Sequence, residues 1–151
     1  MNAIELLKDD HDKVEGLFEQ VKANEDGDNT AVFEQIKMEL DVHAHIEETI
    51  FYPRLIEEGD EELKKITLEG IEEHRQVKMF LRELSNLADE SEKFAPKLKV
   101  LIEDVEHHVQ EEEGQMFLLV KEQFDEAVLE ELGAEMEAEK ATFQKANSAS
   151  G

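Results

Sequence analysis

Residues 43–55 read HAHIEETIFYPRL, and residues 107–117 read HHVQEEEGQMF. Each stretch sets a histidine and a glutamate four residues apart, His43 with Glu47 and His108 with Glu112, and that spacing puts both on one face of a helix. Apolar residues upstream fall on the same face: Phe33, Ile36 and Leu40 before His43, and Leu98, Leu101 and Val105 before His108. Polar groups therefore stand in a helical seam where leucine or isoleucine is expected. An aromatic follows at a fixed distance, with Tyr52 nine residues after His43 and Phe117 nine after His108.

Two more segments carry a lone histidine on such a seam. The first, about Asn2 to Asn24, shows the stripe Ile4, Leu7, His11, Val14, Phe18 and Val21, with Asn2 and Glu5 near capping-box spacing. The other, about Glu61 to Ala88, shows Ile66, Gly70, His74, Val77, Leu81 and Leu84. Polar or glycine-bearing stretches separate the segments: Glu25 to Asn29, Glu58 to Asp60, and Asp89 to Phe94. The second segment spans about Thr30 to Glu58 and contains Pro53, which is expected to kink it because its ring displaces the Thr49 carbonyl. Ile50 is expected to extend its seam. The fourth opens near Pro96, with Met116 and Leu119 extending its stripe.

The two halves repeat weakly. LLKDDHDKVEGLF (6–18) pairs with GIEEHRQVKMFL (70–81), and DVHAHIEETIFY (41–52) with EHHVQEEEGQMF (106–117). His11 and His43 are 32 residues apart and His74 and His108 34, so two tandem hairpins present their polar groups at similar depth. The predicted fold is all-α: an antiparallel up-down four-helix bundle over 1–122 with an additional C-terminal helix over 123–146 packed on it, and a disordered tail at 147–151.

At 151 residues the chain is long enough for one self-sufficient core. The absence of cysteine excludes disulfides, iron-sulfur ligation and thiol catalysis, so a metal must be held by histidine and carboxylate. Forty acidic against 16 basic residues give a formal charge of −24, which repels phosphate backbones and anionic lipid; direct nucleic-acid binding is disfavoured. No apolar run reaches the roughly 20 residues that span a bilayer, and MNAIELLKDD does not resemble a secretory signal, so a cytoplasmic protein with no membrane partner is expected.

Six unpartnered ionisable groups in a bundle core would cost several kcal/mol apiece, enough to rival the whole stability of about 5–15 kcal/mol. Cations at the centre remove that cost. Imidazole with carboxylate suits iron, manganese or zinc. Each hairpin supplies one His-x-x-x-Glu pair and one lone histidine, which suggests a dinuclear site with His11, His43, His74 and His108 terminal, Glu47 and Glu112 bridging, and open positions for a small ligand. His107 and Glu111 share the spacing of His108 and Glu112, but the latter continue the Leu101 and Val105 stripe. His45 points about 200° away from His43 and is assigned to the surface. Glu73 and the remaining glutamates of the 47–48 and 111–113 runs are assigned to solvated faces. Met38, Met79 and Met116 are read as packing residues, and Tyr52 either donates a hydrogen bond into the pocket or fills it.

On these motifs the sequence resembles the hemerythrin-like, or HHE, domains over about Ile4 to Leu119. The resemblance implies a non-haem di-iron centre, two iron ions with an oxo or hydroxo bridge, that reacts with dioxygen and in some members with nitric oxide or peroxide. Oxygen-carrying hemerythrins take a fifth histidine from a His-x-x-x-His pair on the third helix, whereas here Lys78 stands four residues after His74. The chain is more similar to the bacterial type, with the vacated position open to water, Tyr52, Glu48 or a reacting peroxide. The functions that follow are binding of dioxygen or a related ligand for sensing, buffering or storage; oxidoreductase action on peroxide or nitric oxide; or iron handling. No catalytic acid or base and no protein partner is assigned. A metal-free helical interaction domain is the remaining reading, and it requires the chain to fold equally well without metal.

Overall fold

The computed structural model describes residues 1–87 and 91–149. Helix α1 spans Ala3–Ala23; α2, Thr30–Ile46; α3, Tyr52–Glu58; α4, Glu61–Ser85; α5, Phe94–Glu111; α6, Phe117–Gln123; and α7, Glu126–Ala149. A π-helical turn over Glu47–Phe51 joins α2 to α3, and another over Glu112–Met116 joins α5 to α6. Helices α1, α2–α3, α4 and α5–α6 are the four members of the bundle. The fold is the all-α bundle expected.

Local chemistry sets the helix starts. Asn2 and Glu5 close a reciprocal capping box, Glu5 N donating to Asn2 Oδ1 at 2.9 Å and Asn2 N to Glu5 Oε1 at 3.0 Å. Asp60 caps α4 by accepting from Leu63 N at 2.9 Å. Helix α5 begins at Phe94, two residues before Pro96, whose missing N–H falls among the first-turn donors that have no intrahelical partner anyway. Of the linker expected before it, residues 89 and 90 lie outside the described residues, as does Ala88. At the other end α7 continues to Ala149, past the point where the sequence suggests a tail, and residues 150 and 151 lie outside the described residues.

Apolar burial divides into two clusters. One joins Ile4 and Leu7 near the start of α1 to Phe51 and Leu55, to Leu63 at the start of α4, and to Phe117. The other joins Leu17 and Phe18 near the end of α1 to Phe33 and Ile36, to Leu84 at the end of α4, and to Leu98. Starts of odd-numbered bundle members meeting ends of even-numbered ones is the up-down arrangement. The histidines occupy the layer between the clusters, His11 falling between Leu7 and Val14 and His43 between Leu40 and Ile46. Helix α7 packs on α1 and α2, burying Leu129, Leu132 and Met136 in the first cluster. Gly133 permits the approach: a Cβ there would lie 2.3 Å from the Met1 carbonyl oxygen.

The two π turns were not expected. In the first, Tyr52 N bonds to Glu47 O; in the second, Phe117 N bonds to Glu112 O, five residues back in each case. The irregularity near Pro53 is thus an inserted residue in the turn before it. The insertion rotates the following helix, so Phe51, Tyr52, Met116 and Phe117 are buried, while Ile50 and Leu119, placed on the seam by a uniform 3.6-residue period, are only partly buried. Met38 and Met79, read as packing residues, are 59% and 50% exposed. Each is two residues from its neighbours on the seam and therefore faces outward.

Candidate metal centre

All six residues singled out in the sequence converge in the layer between the apolar clusters. His11, His43, His74 and His108 are buried, and the Glu47 and Glu112 side chains have no exposed surface. Helices α1, α2, α4 and α5 each supply one imidazole, and the two glutamates open the π turns. The Nε2 atoms of all four rings face inward. His43 and His74 each hold Nε2 at 3.1 Å from the same Glu47 oxygen, Oε1. Glu112 divides its oxygens, Oε1 at 3.1 Å from His11 Nε2 and Oε2 at 3.2 Å from His108 Nε2. Both glutamates therefore join the His11/His43 side to the His74/His108 side. Two sets of potential ligand atoms result, one with Glu47, His74, His108 and Glu112, the other with His11, His43 and Glu112.

The outward nitrogens complete a ring of carboxylates. Asp10 stands 3.0 Å from His43 Nδ1, Glu48 2.8 Å from His74 Nδ1, Glu73 2.6 Å from His108 Nδ1, and Glu113 2.6 Å from His11 Nδ1. Each helix supports the imidazole of the next, and the fourth supports the first. A carboxylate at Nδ1 fixes a proton there, which leaves the Nε2 lone pair of a neutral imidazole aimed inward, the usual arrangement behind a metal-binding histidine. The place of these four carboxylates behind the histidines escaped the sequence reading, which assigned Glu73 and Glu113 to solvated faces, weighed Glu48 between a solvated face and the vacated fifth position, and did not consider Asp10. The signal was an acidic residue beside each seam ligand, Asp10–His11, Glu47–Glu48, Glu73–His74 and Glu112–Glu113.

The donor set fits cations. His11 Nε2, His43 Nε2, both Glu47 oxygens and Glu112 Oε1 are buried without hydrogen-bond partners. Four of them form two ion-pair contacts, His11 Nε2 with Glu112 Oε1 and His43 Nε2 with Glu47 Oε1, each at 3.1 Å. Two donors sharing one first-row ion at about 2.1 Å and 90° to 109° stand roughly 3.0–3.4 Å apart, which brackets the 3.1–3.2 Å found here.

Without a cation the charges must be balanced by protons. Burial opposes the imidazolium at His43, but the Glu47 carboxylate and Asp10 outweigh it and hold its pKa up at about 10. His74 and His108 are raised in the same way against burial, chiefly by Glu47 and Glu112 respectively. Burial likewise opposes the Glu112 carboxylate, yet His108 and His11 hold it well below the usual range.

The two sides differ at their aromatic residues. Tyr52 is fully buried, donates its hydroxyl to Glu112 Oε2, and has Oη 3.4 Å from His74 Nε2 and 3.5 Å from His108 Nε2. Its counterpart Phe117 stacks on His11 with ring centroids 6.1 Å apart and offers no hydroxyl. Of the groups considered for the vacated fifth position, Glu48 faces the outer nitrogen of His74 and pairs with Lys78 at 2.6 Å, whereas Tyr52 lies within the cluster. His107 is on the surface, 67% exposed and paired with Glu111 at 2.9 Å, so His108 and Glu112 are the inward pair. His45 is partly covered by α7, bonded to Glu139 at 2.8 Å. A cavity of about 40 Å³ adjoins the cluster, with Val14, Leu40, Val77, Leu81 and Val105 among its walls. That is room for a ligand of two or three heavy atoms.

Comparison with known proteins agrees with this geometry. The family described as "Hemerythrin HHE cation binding domain" matches residues 2–120. A solved structure, a hemerythrin HHE cation binding domain-containing protein from Mycobacterium kansasii, superposes with a TM-score of 0.81 at 29% identity, covering 97% of this chain and 89% of that one. A protein of Nostoc named DNA nickase is 28% identical over 149 residues, 96% of this chain but 41% of its own length. An uncharacterized hemerythrin-like protein of Schizosaccharomyces pombe is 30% identical over 105 residues, 69% of this chain and 52% of its length. The chain thus spans about two fifths to one half of these two relatives. An uncharacterized protein of Mycobacterium tuberculosis is 32% identical over 142 residues, 91% of this chain and 84% of its own.

Proposed function

The chain belongs to the hemerythrin HHE cation-binding domain family, and from that membership we propose that it holds two iron ions and binds dioxygen or a related small ligand. His11 and His43 would hold one ion, His74 and His108 the other, with Glu47 and Glu112 shared between them. Bound iron would supply a pair of adjacent redox-active ions with room for one small ligand. The observation that carries this reading is the set of buried nitrogens and oxygens facing one another without hydrogen-bond partners beside a cavity of about 40 Å³. A cavity of that volume has room for a diatomic molecule or peroxide. Val14, Leu40, Val77, Leu81 and Val105 give it a largely apolar wall, which suits a small uncharged ligand.

The specific observation favouring the second reading, reduction or disproportionation of peroxide, is Tyr52. Its hydroxyl is a buried proton donor at Glu112, and reduction of peroxide to water consumes protons. A DNA-nicking role gains little support from the Nostoc relative, because the shared region is 41% of that protein and the charge of −24 opposes approach to phosphate. No helix of the described residues is long and apolar enough to cross a membrane.

The test is anaerobic loading with ferrous iron followed by mixing with dioxygen, nitric oxide or hydrogen peroxide. A spectrum that forms and is reversed by removing the gas supports binding. Repeated consumption of peroxide supports the oxidoreductase. A chain that takes up no iron rejects both.

A further inference from the structure

Among the four outer carboxylates, Asp10 is set apart by its burial and by what holds it. Its side chain is 6% exposed, against 26% for Glu48, 32% for Glu73 and 36% for Glu113. Oδ2 faces His43 Nδ1 at 3.0 Å, and Oδ1 is 2.5 Å from Lys140 Nζ on α7. Among the described residues neither Glu73 nor Glu113 has a lysine or arginine partner. Glu48 has Lys78, but that lysine belongs to the bundle itself and is 47% exposed, so water screens the pair; Lys140 is 23% exposed. The lysine on Asp10 therefore comes from outside the four-helix bundle.

Neighbouring residues fix Lys140 in place. Met136, one turn earlier, is fully buried against the bundle. On the other side the Phe143 ring lies 4.6 Å from the His45 ring. These contacts hold the α7 backbone on both sides of Lys140 and aim its ammonium into the α1/α2 interface.

We propose that Lys140 is a positioning residue for His43: through Asp10, the docked fifth helix fixes the imidazole of one metal position and leaves the other independent of it. The inference rests on the two-ion reading above. Orienting partners of metal-binding histidines set ring angle and tautomer, and their loss typically costs 10- to 100-fold in affinity. Lys140 clamps the carboxylate oxygen that His43 does not use. Removing it frees Asp10 to rotate, and the position served by His11 and His43 loosens. His74 and His108 have their own partners, Glu48 and Glu73, and among the described residues neither carboxylate bonds to a side chain of α7.

The experiment loads the full-length chain with ferrous iron anaerobically and follows transfer of the metal to a ferrous chelator. Wild type, Lys140→Met, Lys140→Arg and Glu139→Gln are compared. The wild type is expected to hold about two irons per chain. Lys140→Met should release one of them about tenfold faster and the other at the wild-type rate, while Lys140→Arg restores slow release. Glu139→Gln removes the contact with His45 without touching Asp10 and should leave both rates unchanged. Release of both irons at wild-type rates from Lys140→Met, or equal acceleration of both, overturns the inference, as does Glu139→Gln behaving like Lys140→Met. A wild-type chain that binds no iron overturns the two-ion reading instead, so the two failures are distinguishable.

Discussion

Glu112 joins both halves of the cluster, with one oxygen toward His11, the other toward His108, and the Tyr52 hydroxyl on the latter. Glu112→Ala should therefore reduce bound metal from about two ions per chain to fewer than one, whereas His107→Ala, on the surface, should leave it unchanged. Elemental analysis of the two purified variants reads this directly. Tyr52→Phe retains the four histidines and two glutamates and removes only the hydroxyl that donates to Glu112. Metal content should stay at wild-type level while any peroxide turnover falls by about a hundredfold, the usual scale for a positioned acid. Unchanged turnover would dismiss Tyr52 as the donor.

The histidines also give the metal-free chain a pH dependence. His43 is raised from its ordinary 6.5 to about 10 in the folded state. Its stabilising contribution is then fully present below about pH 6.5 and is lost as pH rises through about 10. The metal-free protein should unfold at progressively lower temperature over that interval, as a series of thermal melts would show. Metal loading requires the reverse protonation, so uptake at neutral pH should release protons. Calorimetry in buffers of different ionisation heat would measure them, and uptake without proton release would contradict the protonated metal-free site.

Among the elements, the four long helices, their seams and the inward choice of His108 over His107 were legible because burial imposes a 3.6-residue period on sequence. The π turns were not. A five-residue turn changes the period at one place only, and its trace here is an aromatic, Tyr52 or Phe117, five residues after the glutamate, where an α-helical seam calls for a residue at three or four. The outer carboxylates left only an acidic residue beside each seam ligand as their trace, and that trace does not name the histidine each one serves. Asp10, Glu48, Glu73 and Glu113 serve histidines on other helices, and spacing along one helix carries no information about its neighbour.

Helix α7 was visible as a helix, but its attachment depends on Gly133, which a sequence periodicity cannot distinguish from a weak point. A Cβ at that position would lie 2.3 Å from the Met1 carbonyl and 2.9 Å from Ala3 N. Backbone cannot yield as a side-chain end would. Gly133→Leu should displace α7 and cost about 1–3 kcal/mol, seen as a melting temperature lowered by roughly 3–10 °C. A melt matching wild type would mean that α7 does not press on the N-terminus.

At the scale of the whole molecule, a polar layer separates two apolar clusters, and the ring of carboxylates crosses from each helix to the next. Charge balance at that layer therefore bears on the stability of all four helices together. If free metal stands about 1,000-fold above its dissociation constant, one ion adds about 4 kcal/mol. For a chain of this size that corresponds to roughly 8–16 °C in melting temperature. Metal removal should accordingly lower the melt by at least that much.

The most direct test of the central claim combines both quantities in one preparation: iron content and optical spectrum of the reconstituted chain, and its melting temperature before and after chelation. The two-iron proposal predicts about two irons per chain, near-ultraviolet absorption from the iron pair, and a melt that falls on chelation and recovers when iron is returned. A colourless chain that binds no iron and melts at the same temperature throughout would contradict it and leave a helical bundle whose polar layer is held by protons alone.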